Sequence, residues 1–302
     1  MNQPAAAARD VNARIARLFV YPVKSCAGVE LHEAVLTETG IDLDRSWMVV
    51  DSRGDFVSQR ELPRLALVRP HMKVHEIVLR APGMLALHLA IDTVQGPASV
   101  RVWDDVVSAY DMGDVASQWF TDFLGLGPDG APLANAQRYR LVRFDPEQVR
   151  LSSMKWTAGV EARNQFSDGF PLLVLSGASL DDLNRRLHAA GHAAVQIQRF
   201  RPNIVLEALQ AHDEDRMTAL DIGIGAEAIR LGLVKPCGRC PIPDIDPATA
   251  LSSPVVADTL QTYRQDARLD GAVTFGMNAI VLAGAGLLLR VGQPVTGDFD
   301  FA

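Results

Sequence analysis

From residue 14 onward, apolar and polar positions alternate in short stretches separated by Gly, Pro, Asp and Ser, a pattern that predicts strand after strand. The first half gives strands at 14–21, 47–51, 56–57, 65–68, 74–79, 85–91, 100–103 and 106–110, with Ser52-Arg53-Gly54-Asp55 as a turn. The period then changes to that of a helix at 114–124, where Val115, Trp119, Phe120 and Phe123 fall on one face. Residues 126–136, rich in Gly, Pro, Ala and Asn, read as a linker. Beyond it, strands are expected at 139–144, 172–176, 204–206 and 229–234. Two helices are also expected. One is opened by Ser179 as N-cap and closed by Gly191, and the other spans 257–268. Strands 280–282 and 287–291 read as a closing hairpin around Gly284-Ala285-Gly286. The expected fold class is mostly β with peripheral helices (α+β), as barrels rather than a parallel sheet. Residues 1–13 read as a disordered leader, 14–125 as a first domain and 137–302 as a second.

Composition narrows the function classes. With 302 residues, 48% hydrophobic and 22% charged, the chain is long enough for two packed units and far from disorder. Its net charge of −7 argues against a general nucleic-acid surface. The longest apolar run, 279–289, is broken by Gly284 and Gly286 and is too short to span a bilayer as a helix. No secretory signal is visible, and three cysteines do not make a disulfide framework, so the expected compartment is the reducing cytoplasm.

Cys237-Gly238-Arg239-Cys240 is the sharpest local motif. A thioredoxin-like pair needs a helix at its second cysteine, and Pro241-Ile242-Pro243 forbids one. Zinc wants four ligands at recognisable spacing and a plant-type iron–sulfur cluster wants four thiolates, which this chain does not offer. Two small residues at a tight turn remain one reading. The other is a single thiolate, on a loop fixed by prolines, holding a soft metal whose remaining ligands come from a cofactor; Lys235 and Arg239 supply positive charge beside it. The GxGxxA match at 223–228 precedes alternating Ile229, Leu231 and Leu233, so it reads as a turn rather than a dinucleotide site. Two basic groups, Lys24-Ser25 with Arg45 and Arg199-Phe200-Arg201-Pro202-Asn203, combine guanidinium, ammonium, hydroxyl and amide donors as an anion pocket would.

In matching order, YPVKSC, DRSWMVVD, FSDGFPLLVLSGASLDDLN, RFRPNIVLE, CGRCPIPDIDP and FGMN…VGQPV run from about residue 14 to 297. Together they resemble the MOSC-domain family, which includes the mitochondrial amidoxime-reducing component and YcbX-type bacterial proteins. The resemblance implies an N-terminal MOSC β-barrel beside a MOSC domain that binds the molybdenum cofactor (Mo-molybdopterin). It makes Cys240 the thiolate on molybdenum, with Cys237 a neighbour. Lys24, Ser25, Arg45, Arg201 and Asn203 would hold the pterin and phosphate. Gly238, Arg239 and Asn278 would add contacts, and Asp168 would sit at the open metal face as proton relay or substrate contact. Gly169 and Phe170 stand where animal relatives carry hydroxyl residues, and Asn278 stands in place of their tyrosine.

The implied activity is reduction of N-hydroxylated compounds (hydroxylaminopurines, amidoximes, hydroxylamines), with no iron–sulfur cluster in this chain. Electrons would come from a separate donor of ferredoxin or flavin-reductase type. A non-catalytic carrier of cofactor or sulfur is the alternative, and a metal-free binding module a third.

Overall fold

The computed structural model describes residues 9–127, 130–134, 137–223, 225 and 228–300. The N-terminal half carries β1 (Val11–Val20), β2 (Val29–Leu31), β3 (Glu33–Thr37), β4 (Gly40–Ile41), β5 (Trp47–Val50), β6 (Arg69–Met72), β7 (Glu76–Arg80), β8 (Leu87–Ala90), β9 (Gly96–Val102) and β10 (Asp105–Asp111), followed by helix α1 (Asp114–Leu124). Next come β11 (Arg140–Phe144), β12 (Leu172–Ser176), α2 (Gly177–Ala189), β13 (Ile204–Glu207), β14 (Met217–Ile222) and β15 (Ile229–Gly238). The chain finishes with α3 (Val255–Gln261), β16 (Gln265–Asp266), β17 (Ala272–Ala283), β18 (Leu288–Arg290) and β19 (Pro294–Phe299). The protein is therefore mostly β, with three α-helices among the described residues.

Seven strands in the order β12-β13-β1-β19-β14-β15-β17 close into a barrel, because β17 pairs back onto β12. Only β12 and β13 run parallel; α2 is the crossover between them. The interior follows from period-two alternation. In β1, Val11, Ala13 and Ile15 face inward; a register shift between Ile15 and Arg17 resets the phase so that Leu18 and Val20 rejoin that core. Phe19 and Tyr21 face the other way and pack with Leu183 and Leu187 of α2 and Leu260 of α3. The strand takes in Val11, Asn12 and Ala13, which composition had assigned to a leader; pairing with β19 and burial of Val11 and Ala13 hold them. Residues 1–8 lie outside the described residues.

A second core collects Trp47, Val49, Leu65, Ile77, Leu79, Phe120 and Phe123, closed by α1. Sheets β5-β11-β10-β9 and β6-β7-β8 frame it, while β3 pairs with β4 on one side and β18 on the other. Thus β1 from the first half is built into the barrel formed by the second, and β2 pairs onto β1 off the barrel path.

Several local expectations are corrected. Residues 65–68 are not a strand: Pro63, at the start of a 3-10 turn (Pro63–Leu67), presets that conformation. Val115 lies 77% exposed, and Ala116 takes the inward position beside Trp119 and Phe120. The N-cap of α2 is Ser176, whose hydroxyl accepts from Ser179 N at 3.2 Å, so Ser179 lies within the helix; Gly191 takes a left-handed φ of 81° just past its end. The helix expected over 257–268 stops at Gln261, because Gln265 and Asp266 pair with β17 instead. The closing hairpin is absent too. β17 lies between β15 and β12, and Gly284 (φ 92°), packed against the Ile229 backbone, turns the chain away so that β18 pairs with β3. Gly223 lies between antiparallel β14 and β15, so the GxGxxA run, part of which lies outside the described residues, opens no α-helix.

Candidate active site

A cleft partly open to solvent lies where the barrel meets the N-terminal sheets. The twelve residues to which the family resemblance gives a metal, cofactor or substrate position all line it, brought from positions as far apart as Lys24 and Asn278; Arg199 of the second basic group does not, and pairs with Asp246 at 2.9 Å instead. Lys24 and Ser25 follow β1, and Arg45 enters from the loop before β5. Asp168, Gly169 and Phe170 lead into β12; Arg201 and Asn203 lead into β13. Gly238 ends β15, Arg239 and Cys240 follow it, and Asn278 lies on β17 opposite Lys235.

Three cleft residues hold left-handed backbones without being glycine: Ser25 (φ 65°), Arg45 (φ 50°) and Arg201 (φ 59°). Such conformations persist only where surrounding contacts over-determine them, and they collect at ligand-binding positions. Those contacts are visible here. Gln59 Nε2 donates to Ser25 O at 2.6 Å, Arg45 N to Tyr21 O at 2.8 Å, and Arg201 Nη1 to Cys26 O at 2.5 Å.

The cationic wall is packed rather than solvated. Both Arg45 and Arg201 place the guanidinium carbon over the Tyr21 ring, at 4.4 and 4.3 Å from its centroid. Arg45 also pairs with Asp44 at 2.5 Å and donates to Arg201 O at 3.1 Å. Arg201 Nη2 is buried with no hydrogen-bond partner, as is Arg239 Nε. Burial, then the neighbouring Arg45 charge, brings the Arg201 pKa down to about 10, so it stays cationic at neutral pH. A buried guanidinium with an unfilled N–H is the observation against which an anionic ligand is tested, and it fits one.

Asn203 plays a different part. Its Oδ1 accepts from Leu173 N at 3.1 Å and Arg45 Nη1 at 3.0 Å. Its Nδ2 donates to Phe19 O at 3.2 Å, and the amide also hydrogen-bonds the Asp44 carboxylate. Its bonding capacity is used in joining β12, β13 and β1 behind the cleft.

At the other end, Lys24 Nζ donates to Phe166 O at 2.8 Å and to Asp168 Oδ1 at 2.5 Å. Burial pushes the Lys24 pKa below the ordinary lysine value, although Asp168 pulls the other way. The Lys24 ammonium beside it holds the exposed Asp168 carboxyl well below the usual carboxylate range. Asp168 is thus a hydrogen-bond acceptor, not a donor, at neutral pH.

The thiols are partnered differently from the sequence expectation. Arg239 Nη1 donates to Cys237 Sγ at 3.0 Å, not to Cys240, and Lys235 lies over the Trp156 ring. The cation near Cys240 is Arg60, with Nη1 4.0 Å from Sγ. Pro241 leads Cys240 into a 3-10 turn (Ile242–Asp244), so the loop is stiff without being helical. Among the described residues no three His, Cys, Asp or Glu side chains gather as a metal group, so a metal at Cys240 would draw its other ligands from outside the chain. Sequence reasoning missed Arg60, Ser58 and Ser167, which also line the cleft. Arg60 sits in an ordinary Ser-Gln-Arg-Glu stretch with no signal of its own.

A closed barrel, a second strand-rich unit and a cleft between them lined by arginine, lysine and one loop-borne thiol define a two-unit β-barrel protein with a cationic ligand cleft. The chain belongs to the MOSC family: the MOSC N-terminal beta barrel domain matches residues 12–126 and the MOSC domain residues 161–296. Mitochondrial amidoxime-reducing component 1 of Homo sapiens is 33% identical over 294 residues, covering 93% of this chain and 82% of that protein. Mitochondrial amidoxime reducing component 2 of Homo sapiens is 32% identical, covering 83% and 72%. The molybdenum cofactor sulfurase of Homo sapiens is 27% identical over 87% of this chain but only 29% of its own length.

Proposed function

We propose that this protein is a molybdenum-cofactor-dependent reductase of N-hydroxylated compounds, working with electrons from a separate donor protein in the reducing cytoplasm. The observation that carries the reading is the convergence of Cys240 and the buried, incompletely bonded Arg201 on one cleft. Likeness to two amidoxime-reducing components over most of both chains supports it.

The redox chemistry, R–NHOH + 2 e⁻ + 2 H⁺ → R–NH₂ + H₂O, is supplied by the cofactor when bound. Cys240 would be the thiolate ligand of the metal. Arg201, with Lys24, Ser25 and Arg45, would hold the anionic and polar parts, and the stacked Tyr21 ring keeps the two guanidinium groups in place. Gly238, Arg239 and Asn278 border the same space. Asp168, kept ionised by Lys24, would accept a hydrogen bond from the N–OH or amidine N–H of a substrate. Gly169 and Phe170 leave backbone groups and a ring, rather than hydroxyls, beside it.

The test is molybdenum content per chain and reduction of benzamidoxime with a supplied electron donor, comparing wild type with Cys240→Ala from a cofactor-competent host. Near-stoichiometric metal and turnover, both lost in the variant, is the expected result. A folded wild type without molybdenum sinks the reading. The likeness to the sulfurase favours a second possibility, a non-catalytic carrier of cofactor or sulfur. Metal-loaded protein that never oxidises a reductant on addition of an N-hydroxy compound would select it.

A further inference from the structure

Two residues of the cleft lining, Arg60 and Asp168, contact an aromatic residue of the N-terminal sheets that stands beside the cleft. Trp103 stands in the turn between β9 and β10, where the sequence pattern expects the end of a strand, and takes a left-handed φ of 56°. That is an uncommon backbone for a bulky residue, and the side chain it presents is still 45% exposed. Its indole Nε1 donates to Asp168 Oδ1 at 3.3 Å, and its ring meets Phe56 edge-on at 5.0 Å. The Arg60 guanidinium lies 4.9 Å from the Trp103 ring centroid, while Arg60 Nη1 contacts Cys240 Sγ. The supporting loops are tied together: Phe56 N donates to Arg101 O, and Arg101 N to Gly54 O. A strained, half-exposed indole is thus held on a rigid support within one residue's reach of both Cys240 and Asp168.

We infer that Trp103, backed by Arg60, is a specificity-determining residue that selects flat heteroaromatic and aryl N-hydroxylated substrates over aliphatic ones. The inference rests on the proposed reductase activity and names the substrate class for its site. A half-exposed indole with a guanidinium already over its ring offers planar ligands its remaining surface for stacking and cation–π attraction. Asp168, ionised beside it, is the acceptor for the N–H or N–OH edge of the same ring system. An aliphatic N-hydroxy compound can use Asp168 but gains nothing from the indole.

Two measurements on the metal-loaded protein test this. The first compares benzamidoxime with acetamidoxime as substrates for wild type, Trp103→Ala and Trp103→Phe. Trp103→Ala is expected to raise KM for benzamidoxime about ten-fold with acetamidoxime little changed. Trp103→Phe, which keeps a ring but loses the N–H, is expected to keep most of the preference. Equal losses on both substrates, or equal losses in both variants, would overturn stacking and leave only a hydrogen bond to Asp168. The second titrates tryptophan fluorescence with benzamidine, which cannot be reduced. Quenching present in wild type and absent in Trp103→Phe is expected whether or not turnover occurs, so quenching without turnover removes the reductase reading alone. Absence of quenching in an active enzyme overturns the present inference alone.

Discussion

Lys24 Nζ lies 2.5 Å from Asp168 Oδ1, joining an ammonium only 6% exposed to a carboxylate 63% exposed at the cleft mouth. The buried ammonium keeps the exposed carboxyl ionised to lower pH than it would be alone. Asp168 therefore faces incoming ligand as a fixed anion, and Lys24 is the member of the pair whose proton is less tightly held than in an ordinary lysine.

The pH profile follows. Asp168, with its folded pKa depressed, stabilises the fold above the ordinary carboxylate value and loses that contribution only as pH falls below it. No acidic limb from Asp168 is expected in kcat/KM between pH 5 and pH 8, taken as about the working range. An alkaline limb is expected below the ordinary lysine value of 10.5, and Lys24→Arg should move it out of range. A limb at unchanged pH in Lys24→Arg would count against Lys24 as its source.

Arg201 and Asn203 should separate binding from folding. Arg201 is cationic at neutral pH in both folded and unfolded chains, and its lowered folded pKa makes that charge a cost to the cofactor-free fold. Arg201→Met is expected to leave the apo-protein's urea midpoint unchanged or raised while molybdenum content falls several-fold. A large loss of apo stability would mean that Arg201 is mainly structural.

Asn203→Ala should do the reverse. It leaves Leu173 N and the Phe19 carbonyl without their buried partner and loosens Arg45. A loss of about 3 kcal/mol in unfolding free energy is expected. Equilibrium urea denaturation of the metal-free protein measures it, and a loss under about 0.5 kcal/mol would show that the bonds are dispensable.

Glu214 gives a pH dependence remote from the cleft. It is fully buried in the 3-10 turn before β14 and reaches the start of α2, accepting from Ser179 Oγ at 2.7 Å and Ser176 N at 3.1 Å. Burial, then the nearby Asp215, raises its pKa from 4.5 to about 7. Because the folded pKa is the higher one, its contribution is full below 4.5 and is lost as pH rises towards and through 7. The urea midpoint of wild type should fall from pH 5 to pH 8 relative to Glu214→Gln, which keeps an acceptor without the charge. Parallel profiles for the two proteins would exclude Glu214 as the source.

Local pattern carried much of this molecule. Helix α1 and strand β12 occupy the stretches their periodicity marks, because a dense apolar face or a continuous buried run needs no distant information. The CGRC loop and the two basic groups were visible as chemistry, since residue type and proline placement alone exclude a redox helix and suggest an anion site.

Long-range pairing was decided only in three dimensions. Nothing local in 280–291 says that β17 closes a barrel against β12 while β18 leaves to pair with β3; strand partners are chosen by which apolar faces can be buried together. The same holds for side-chain roles. Asn203 looked like a ligand contact until the strands around it took up its amide, and Arg239 looked like the partner of Cys240 until Arg60, 180 residues away, occupied that place. Sequence lists the donors and acceptors; which of them remain free for a ligand depends on what the fold brings against each one.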